Sequence, residues 1–304
     1  MASNPSYEQS KQVAEAGRET EWTKPSFGKE LFLGNFRLDL IHPQPELDPA
    51  AVEKGEAFLE RLRAFLTDHV DRRQIERDAR IPESVIQGLK ELGALGMKIP
   101  EEYGGLGLSQ VDYNRALAMA GTWHSSISTL LSAHQSIGLP EPLRLFGSEE
   151  QKRQWLPRLA RDHISAFLLT EPDVGSDPAR MSTTAVPTAD GTGYRISGTK
   201  LWATNGAIAD VVVIMAVVPT SEGHPGGITA FICPYDRVGI TVEHRNEFMG
   251  LKGIENSVTR FDDVFVPSED IIGGEGKGLR IALTTLNTGR LSLPAFCLSA
   301  VKYS

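Results

Sequence analysis

The stretch Phe167-Leu168-Leu169-Thr170-Glu171-Pro172-Asp173-Val174-Gly175-Ser176-Asp177 lies where the pattern of the chain changes. Before it, apolar residues recur at intervals of three and four, which is typical of helices. After it, short apolar runs alternate with turn residues, which is typical of strands. Pro, Gly, Ser and Asp are ordinary turn formers, so composition alone predicts a strand-to-loop junction here. The stretch therefore separates a helical part of the chain from a β part.

The helical part follows a polar, Pro-punctuated extension, residues 1–48, whose apolar patch Leu31-Phe32-Leu33 is a candidate for docking on a neighbouring surface. Asp48-Pro49 then supplies an N-cap and a proline at the first helical position. One helical face is formed by Phe58, Leu59, Leu62, Phe65 and Leu66. A capping box at Ser148-Glu149-Glu150-Gln151 begins a further helix. Residues 49–165 are therefore predicted to form an N-terminal all-α helical bundle.

The β part contains several short apolar runs without intervening helices. The predicted strands include Tyr194–Ser197, Val211–Val218, Ile228–Cys233 and Ser257–Val266. This succession predicts an antiparallel β-barrel or sandwich over residues 166–278. A helical pattern returns at Leu279, Leu283, Leu286 and Leu293, so residues 279–304 are expected to begin another helical domain. The predicted fold class is α+β.

Composition excludes several classes of function. The chain has 39 acidic and 31 basic residues among 304, with a formal net charge of -8 and no block of Lys or Arg, so no nucleic acid is expected as a partner. The seven His residues never pair at metal-ligand spacing, and no metal is predicted. Cys233 and Cys297 are predicted to be two reduced, buried thiols.

The first 22 residues do not resemble a targeting signal. The N-terminus mixes Glu with Lys and Arg and has no apolar core segment, so neither a secretory signal nor a transit peptide is predicted. No apolar run reaches the roughly 18 to 20 residues that span a bilayer. A cytoplasmic protein is the expectation.

A second segment, Gly198-Thr199-Lys200-Leu201-Trp202-Ala203-Thr204-Asn205-Gly206, follows the first. By itself, a Trp before Asn-Gly indicates a core aromatic residue beside a turn. Together with the pattern T-E-P-x-x-G-S-D at Thr170 to Asp177, however, it resembles the acyl-CoA dehydrogenase family, most closely the very-long-chain branch. Further matching pieces lie at Ala133–Gly138, Ile228–Phe231, Met249-Gly250, Phe265–Pro267 and Leu286–Arg290.

The resemblance implies an FAD cofactor. It places Thr170, with Phe167, Leu168 and Leu169, at the pyrimidine end of the flavin, where hydrogen-bond donors stabilise the charge of the reduced ring. It places Thr204 at the flavin N5 edge and Trp202, followed by Ala203, against the isoalloxazine face. Ser176 corresponds to a residue that contacts phosphate or the CoA chain, and its Gly-Ser-Asp turn can expose backbone N–H groups to an anion.

The resemblance also implies the reaction, a removal of two hydrogens across the α and β carbons of a long-chain acyl-CoA thioester in fatty acid β-oxidation, giving the trans-2-enoyl-CoA. Asn287, Thr288, Gly289 and Arg290 match the segment that lines the CoA channel. The implied partners are the acyl-CoA substrate and an electron-transferring flavoprotein. A homo-oligomer is expected if the chain is completed by a C-terminal domain.

The catalytic base is not assigned to any residue of this chain. Most of the family places that carboxylate in the C-terminal helical domain, which is expected beyond residue 304, so residues 279–304 are interpreted as the beginning of a truncated domain. A minority of the family has Glu immediately before the arginine that matches Arg290, and here that position is Gly289. Glu255 is expected to be solvated. The chain alone is therefore expected to be impaired. Two alternatives remain open: a catalytically silent binding or assembly protein, and an acyl-CoA oxidase.

Overall fold

The computed structural model describes residues 25–44 and 46–303. Expectations for residues 1–24 lie outside this part. The described piece of the N-terminal extension has one short helix, α1 (Phe27–Phe32), none of whose residues is buried. Phe32 is 95% exposed, so the apolar patch predicted there faces solvent.

Seven helices follow. They are α2 (Pro49–His69), α3 (Arg72–Asp78), α4 (Glu83–Glu91), α5 (Gln110–Trp123), α6 (Ser125–Ser132), α7 (Pro140–Phe146) and α8 (Glu149–Arg161). Asp48 accepts from the Ala50 N–H at the start of α2, and Ser148 and Gln151 form the capping box of α8, as predicted. A single turn of π-helix, Ala133–Ile137, directly follows α6.

One apolar cluster holds these helices together. The predicted face of α2 is buried in it, and Leu62 and Leu66 are completely inaccessible, as are Leu89 of α4 and Leu117 of α5. Burying a Leu side chain of this kind contributes about 1.5–3 kcal/mol relative to leaving it in water. The helical part of the chain therefore has its own core.

The second part of the chain is an eight-stranded sheet. Its strands are β1 (Ser165–Leu168), β2 (Thr184–Pro187), β3 (Gly193–Ala203), β4 (Val211–Val218), β5 (Gly227–Pro234), β6 (Ile240–Arg245), β7 (Ser257–Pro267) and β8 (Ile271–Ile272). The order is β6-β7-β3-β2-β4-β5-β8, with β1 paired to β4. A helical part, a β-sheet part and then further helices confirm the predicted fold class.

The expectation of a purely antiparallel sheet needs correction. β1 and β2 both pair with β4 in parallel, whereas the other strand pairs are antiparallel. Parallel strands require a long crossover connection, and residues 169–210 supply one between β1 and β4. β4 has a run of almost entirely buried residues, which is typical of a strand covered on both faces.

The C-terminal helical pattern forms two helices instead of one, α9 (Gly278–Arg290) and α10 (Leu293–Tyr303). Pro294 explains the break, because proline has no N–H to donate to the carbonyl of Arg290 and its ring clashes with that carbonyl. α9 therefore ends at Arg290, and α10 takes a new direction along α5, where Ala295 joins the helical core. Within the described residues, no helix is long and apolar enough to cross a membrane.

Candidate functional site

The two motif segments meet in the structure. The N–H of Leu201, near the end of β3, donates to the carbonyl of Thr170, just after β1, at 2.9 Å. Thr170 itself is half-buried. Thr170 therefore lies next to the residue that precedes Trp202. We call Thr170, Trp202 and Thr204, none of which is fully buried, the motif surface.

Trp202 has an unusual conformation on this surface. It lies at a bulge where the register between β3 and β7 shifts, between Lys200 and Ala203. Its φ of 60° is in the left-handed region, which a bulky residue rarely adopts. The indole is 53% exposed and stands beside Phe248, with ring centroids 5.8 Å apart. Bulges often re-aim a side chain beside an active site, and this one presents a flat aromatic surface to solvent.

The next residues turn the chain away from the sheet. Ala203 is buried, and the Thr204 hydroxyl accepts from the side-chain amide of Asn256 at 3.2 Å. Asn205 is also left-handed, with φ of 67°, and its amide donates to the carbonyl of Leu130 in α6 at 3.0 Å. Asn256 and Asn205 thus position Thr204. Neither residue has a role assigned from the sequence, although Asn205 lies within the second segment.

The other residues assigned to the flavin are placed differently. Phe167 and Leu168 are buried in the apolar clusters on the two faces of β1, so only their backbone can reach a ligand. Leu169 is partly buried against one of those clusters. Ser176 is exposed in the loop after β1, beyond a turn closed by reciprocal backbone hydrogen bonds between Glu171 and Val174.

A buried ion pair lies behind this surface. Lys200 Nζ lies 2.8 Å from Glu171 Oε1, and the two side chains are 0% and 2% exposed. Burial alone would raise the pKa of Glu171, but the Lys200 ammonium and hydrogen bonds from Ser182 and Thr183 lower it to about 2. Burial lowers the pKa of Lys200, and the attraction of Glu171 opposes that shift. Glu171 lies in the first motif segment and Lys200 in the second. Their opposite charges were the sequence signal that could have predicted this ion pair.

The residues matched to the CoA channel are on α9, away from Trp202. The guanidinium of Arg290 donates to Asn287 Oδ1 at 2.6 Å, and both residues are exposed. Burial alone would raise the pKa of Glu141, but a hydrogen bond from Arg144 and the charges of Lys98 and Arg144 lower it below its usual value. A hydrogen bond with Thr288 of α9 adds to that lowering. A Cβ added at Gly289 would lie 2.6 Å from Ile137 Cγ2, so the π-helix occupies the space of a side chain.

Two expectations prove wrong. Glu255 is not solvated: it is 6% exposed and accepts from Arg245 Nε at 2.6 Å. This pair anchors the loop that carries Asn256, which is why the carboxylate turns inward. Cys297 is exposed on α10, whereas Cys233 is buried as expected.

A cavity of about 860 Å³ lies between α3, the α5–α6 junction, the loop at Leu251 and α10. Its walls include Trp123, Ser128 and Thr129. Leu130, which follows Thr129 in α6, accepts from Asn205, so the helix that lines the cavity also contacts the second motif segment. Among the residues that the structure describes, no group of three His, Cys, Asp or Glu side chains could hold a metal ion.

Two family models match this chain. The acyl-CoA dehydrogenase N-terminal domain matches residues 53–163, and the acyl-CoA dehydrogenase middle domain matches residues 166–264, so together they cover more than half of the chain. The chain belongs to the acyl-CoA dehydrogenase family.

Individual members of the family are similar in sequence to this chain. The probable acyl-CoA dehydrogenase FadE10 of Mycobacterium tuberculosis is 61% identical over 295 residues, which are 97% of this chain and 45% of FadE10. The human very long-chain specific acyl-CoA dehydrogenase, mitochondrial, is 36% identical over 276 residues, 89% of this chain and 42% of that protein. The chain spans less than half of the length of these relatives.

A solved structure supports the same assignment. The acyl-CoA dehydrogenase of Bacillus anthracis complexed with FAD aligns with a TM-score of 0.73 and 32% identity, over 82% of this chain and 42% of that chain. In the present structure, the half-exposed indole of Trp202 follows Leu201, which bonds the half-buried Thr170, and precedes the half-buried Thr204. A flat aromatic side chain with polar residues on both sides fits a flat, polar-edged ring. The residues present therefore fit a flavin.

Proposed function

We propose that this chain is the flavin-contacting part of an FAD-dependent acyl-CoA dehydrogenase that converts a long-chain acyl-CoA thioester to its trans-2-enoyl-CoA in fatty acid β-oxidation. The observation that carries this proposal is the left-handed, half-exposed Trp202 at the point where β3 hydrogen-bonds Thr170, with Thr204 two residues further on. When bound, FAD would supply the hydride-accepting chemistry. The family membership and the FAD-bound relative support the cofactor.

Each residue of the surface has a proposed task. The Trp202 indole stacks on the ring, and Thr204 hydrogen-bonds its N5 edge. Thr170 and the backbone of Phe167, Leu168 and Leu169 face the pyrimidine end, where preorganised donors stabilise negative charge. Ala203 packs beneath the flavin ring. Ser176 contacts phosphate or the CoA chain.

The substrate is proposed to lie between the same surface and the helical part. The cavity beside α6 has the volume for a ligand-binding pocket, and α6 also contacts Asn205, the residue after Thr204. The exposed residues Asn287 and Arg290, with Thr288 and Gly289, are proposed to line the path of the CoA portion. The likeness to the very long-chain specific relative supports a long acyl group.

No residue of this chain is proposed as the catalytic base. The position used for this purpose by a minority of the family is Gly289, and Ile137 fills the space beside it. The base is proposed to lie beyond residue 304, with little activity for these residues alone. We also propose that an electron-transferring flavoprotein accepts the electrons. The complete protein is proposed to be a homo-oligomer in the cytoplasm.

Titration of the purified chain with FAD tests this proposal, followed by an anaerobic addition of palmitoyl-CoA. We expect a yellow complex whose visible spectrum palmitoyl-CoA perturbs without bleaching. A chain that takes up no FAD would overturn the proposal and favour a catalytically silent member of the family. Bleaching would show that a base is present in this chain, and peroxide release in air would favour an acyl-CoA oxidase.

A further inference from the structure

The Lys200–Glu171 pair joins the two motif segments behind the flavin surface. Lys200 lies on β3, two residues before Trp202, and Glu171 directly follows Thr170. Besides the contact with Glu171, Lys200 Nζ donates to the carbonyl of Leu169 at 3.2 Å. One ammonium group therefore contacts the residues on both sides of Thr170.

Glu171 is also held from its other side. Its carboxylate accepts from the Ser182 N–H at 2.7 Å, the Ser182 hydroxyl at 2.6 Å and the Thr183 N–H at 3.0 Å. Charge-assisted bonds of this kind are short and directional. The backbone from Leu169 to Glu171 is thus fixed between Lys200 and the start of β2.

Stability alone explains such a pair poorly. Moving two charges out of water costs several kcal/mol per ion, and replacing both partners of a buried pair by apolar residues is often neutral or stabilising. Removing one partner, in contrast, leaves a buried charge without its counterion and is strongly destabilising. The position of the pair, between the two segments of the surface, points to a role in geometry.

We propose that Lys200 and Glu171 are positioning residues for the flavin, which hold Thr170 and Trp202 in the arrangement that accepts the ring. This inference rests on the proposed flavin site. It follows that the geometry of the surface, and not only the stability of the fold, depends on the ionised pair. Removing both charges together should restore part of the stability, because no unpaired charge remains buried, without restoring FAD binding.

The test compares Lys200→Met, which keeps most of the stem without the charge, with the double variant Lys200→Met/Glu171→Met. Urea unfolding gives the stability of each variant, FAD fluorescence quenching gives its affinity, and visible circular dichroism reports the orientation of the bound ring. We expect Lys200→Met to lose stability and the double variant to regain part of it. The double variant should still bind FAD at least tenfold more weakly than wild type, with altered visible dichroism.

The chain offers a matched control in a second buried Lys–Glu pair. Lys98 lies 3.4 Å from Glu141, with side chains 13% and 2% exposed. Its other hydrogen-bond and cation–π contacts within the described residues are with Gln135 and the ring of Tyr113, so they lie outside both motif segments. Lys98→Met is expected to lower stability and leave the FAD affinity unchanged.

The outcomes separate the two proposals. If wild type takes up no FAD, the proposed function and this inference both fail. If wild type binds FAD and the stable double variant binds it equally well with the same dichroism, the positioning role alone is overturned. An equal loss of affinity in Lys98→Met would also overturn it, because the effect would then belong to stability.

Discussion

At the scale of single residues, the most informative feature is the backbone of Trp202. A bulky residue held at positive φ costs on the order of 1–3 kcal/mol and persists only where its surroundings determine the conformation. Here Lys200 is fixed by Glu171 on one side, and Asn205 is fixed by Leu130 on the other. Strain of this kind clusters at functional sites, in agreement with the proposed stacking on flavin.

Substitutions at this residue separate backbone strain from the contribution of the indole. Trp202→Gly relieves the left-handed conformation, whereas Trp202→Ala keeps a Cβ there, and we expect the Gly variant to be more stable by about 1 kcal/mol. Both variants should bind FAD more weakly and alter its visible spectrum, since both lack the ring. Urea unfolding and FAD titration measure the two effects. An unchanged flavin spectrum would argue against the assignment of Trp202.

At the scale of elements, the π-helix Ala133–Ile137 connects the parts of the molecule. His134 bonds β1 through Ser165, Ser136 bonds Tyr113 of α5 at 2.7 Å, and Ile137 packs against α9. Single turns of π-helix are rare and often occur at functional sites. This one lies between the motif surface and the proposed CoA channel.

The protonation state of His134 follows from its partners. Its Nε2–H donates to the carbonyl of Leu159 at 3.0 Å, and its Nδ1 accepts from the Ser165 N–H at 3.1 Å. Burial disfavours the charged ring and lowers the pKa of His134 to about 4, although the hydrogen bond to the Leu159 carbonyl opposes that shift. A proton on Nδ1 would also face the Ser165 N–H.

A depressed histidine pKa makes stability depend on pH. The unfolded chain binds this proton below about 6.5 and the folded chain only below about 4, so stability should decrease as pH falls between these values. An NMR titration of the imidazole ring, assigned with His134→Gln, should show a neutral His134 at pH 5.5. A ring that titrates above pH 6 would contradict the proposed hydrogen-bond arrangement.

Gly289 tests the contact between α9 and the π-helix. In an ordinary helix Gly→Ala stabilises by about 0.5–1 kcal/mol. Here the added Cβ would approach Ile137 Cγ2 to 2.6 Å, so we expect Gly289→Ala to cost about 1–3 kcal/mol from overpacking. A double-mutant cycle with Ile137→Ala, measured by urea unfolding, should reduce that cost. The same cost in both backgrounds would contradict the close contact.

Local patterns predicted the elements that depend on local physics. The N-cap Asp48, the capping box at Ser148 and the apolar run of β4 were all visible in the sequence and are confirmed. The parallel pairing of β1 with β4 was not, because it depends on contacts across 46 positions, as between Ser165 and Val211. The break before α10 was missed although Pro294 was visible.

The residues of the candidate site also divide into those set by local sequence and those set by distant contacts. The motifs identified Thr170, Trp202 and Thr204, since these residues are adjacent in sequence to recognisable patterns. Asn256 and the inward turn of Glu255 depend on how a distant loop packs under β3, which periodicity does not encode. The roles of the motif residues remain predictions.

At the scale of the whole molecule, the outer face of α10 and the turn before it is apolar. Leu291, Leu293, Leu298 and Val301 are 57%, 53%, 47% and 72% exposed. Exposed patches of this kind mark interaction surfaces or promote association.

Charges on this face should therefore lower self-association. We expect Leu293→Lys/Val301→Lys to shift the chain toward monomer in sedimentation velocity experiments, while its unfolding free energy changes by less than about 0.5 kcal/mol, as is usual for surface positions. The control also introduces two Lys residues, at Val238 and Val242, which are 94% and 41% exposed at and just before the edge strand β6. Equal effects at both places would indicate a response to net charge alone.

The hydrogen bond from Asn205 to Leu130 has a consequence for the helical part as a whole. It carries the end of β3 onto α6, so the opening of either element must break the contact with the other. A ligand that immobilises the Thr204 loop would then slow amide hydrogen exchange along α6, in helical turns that the ligand never touches. The apo and FAD-bound proteins would then differ in the hydrogen-exchange protection of α6, although the average positions of α6 and the sheet would be the same in both.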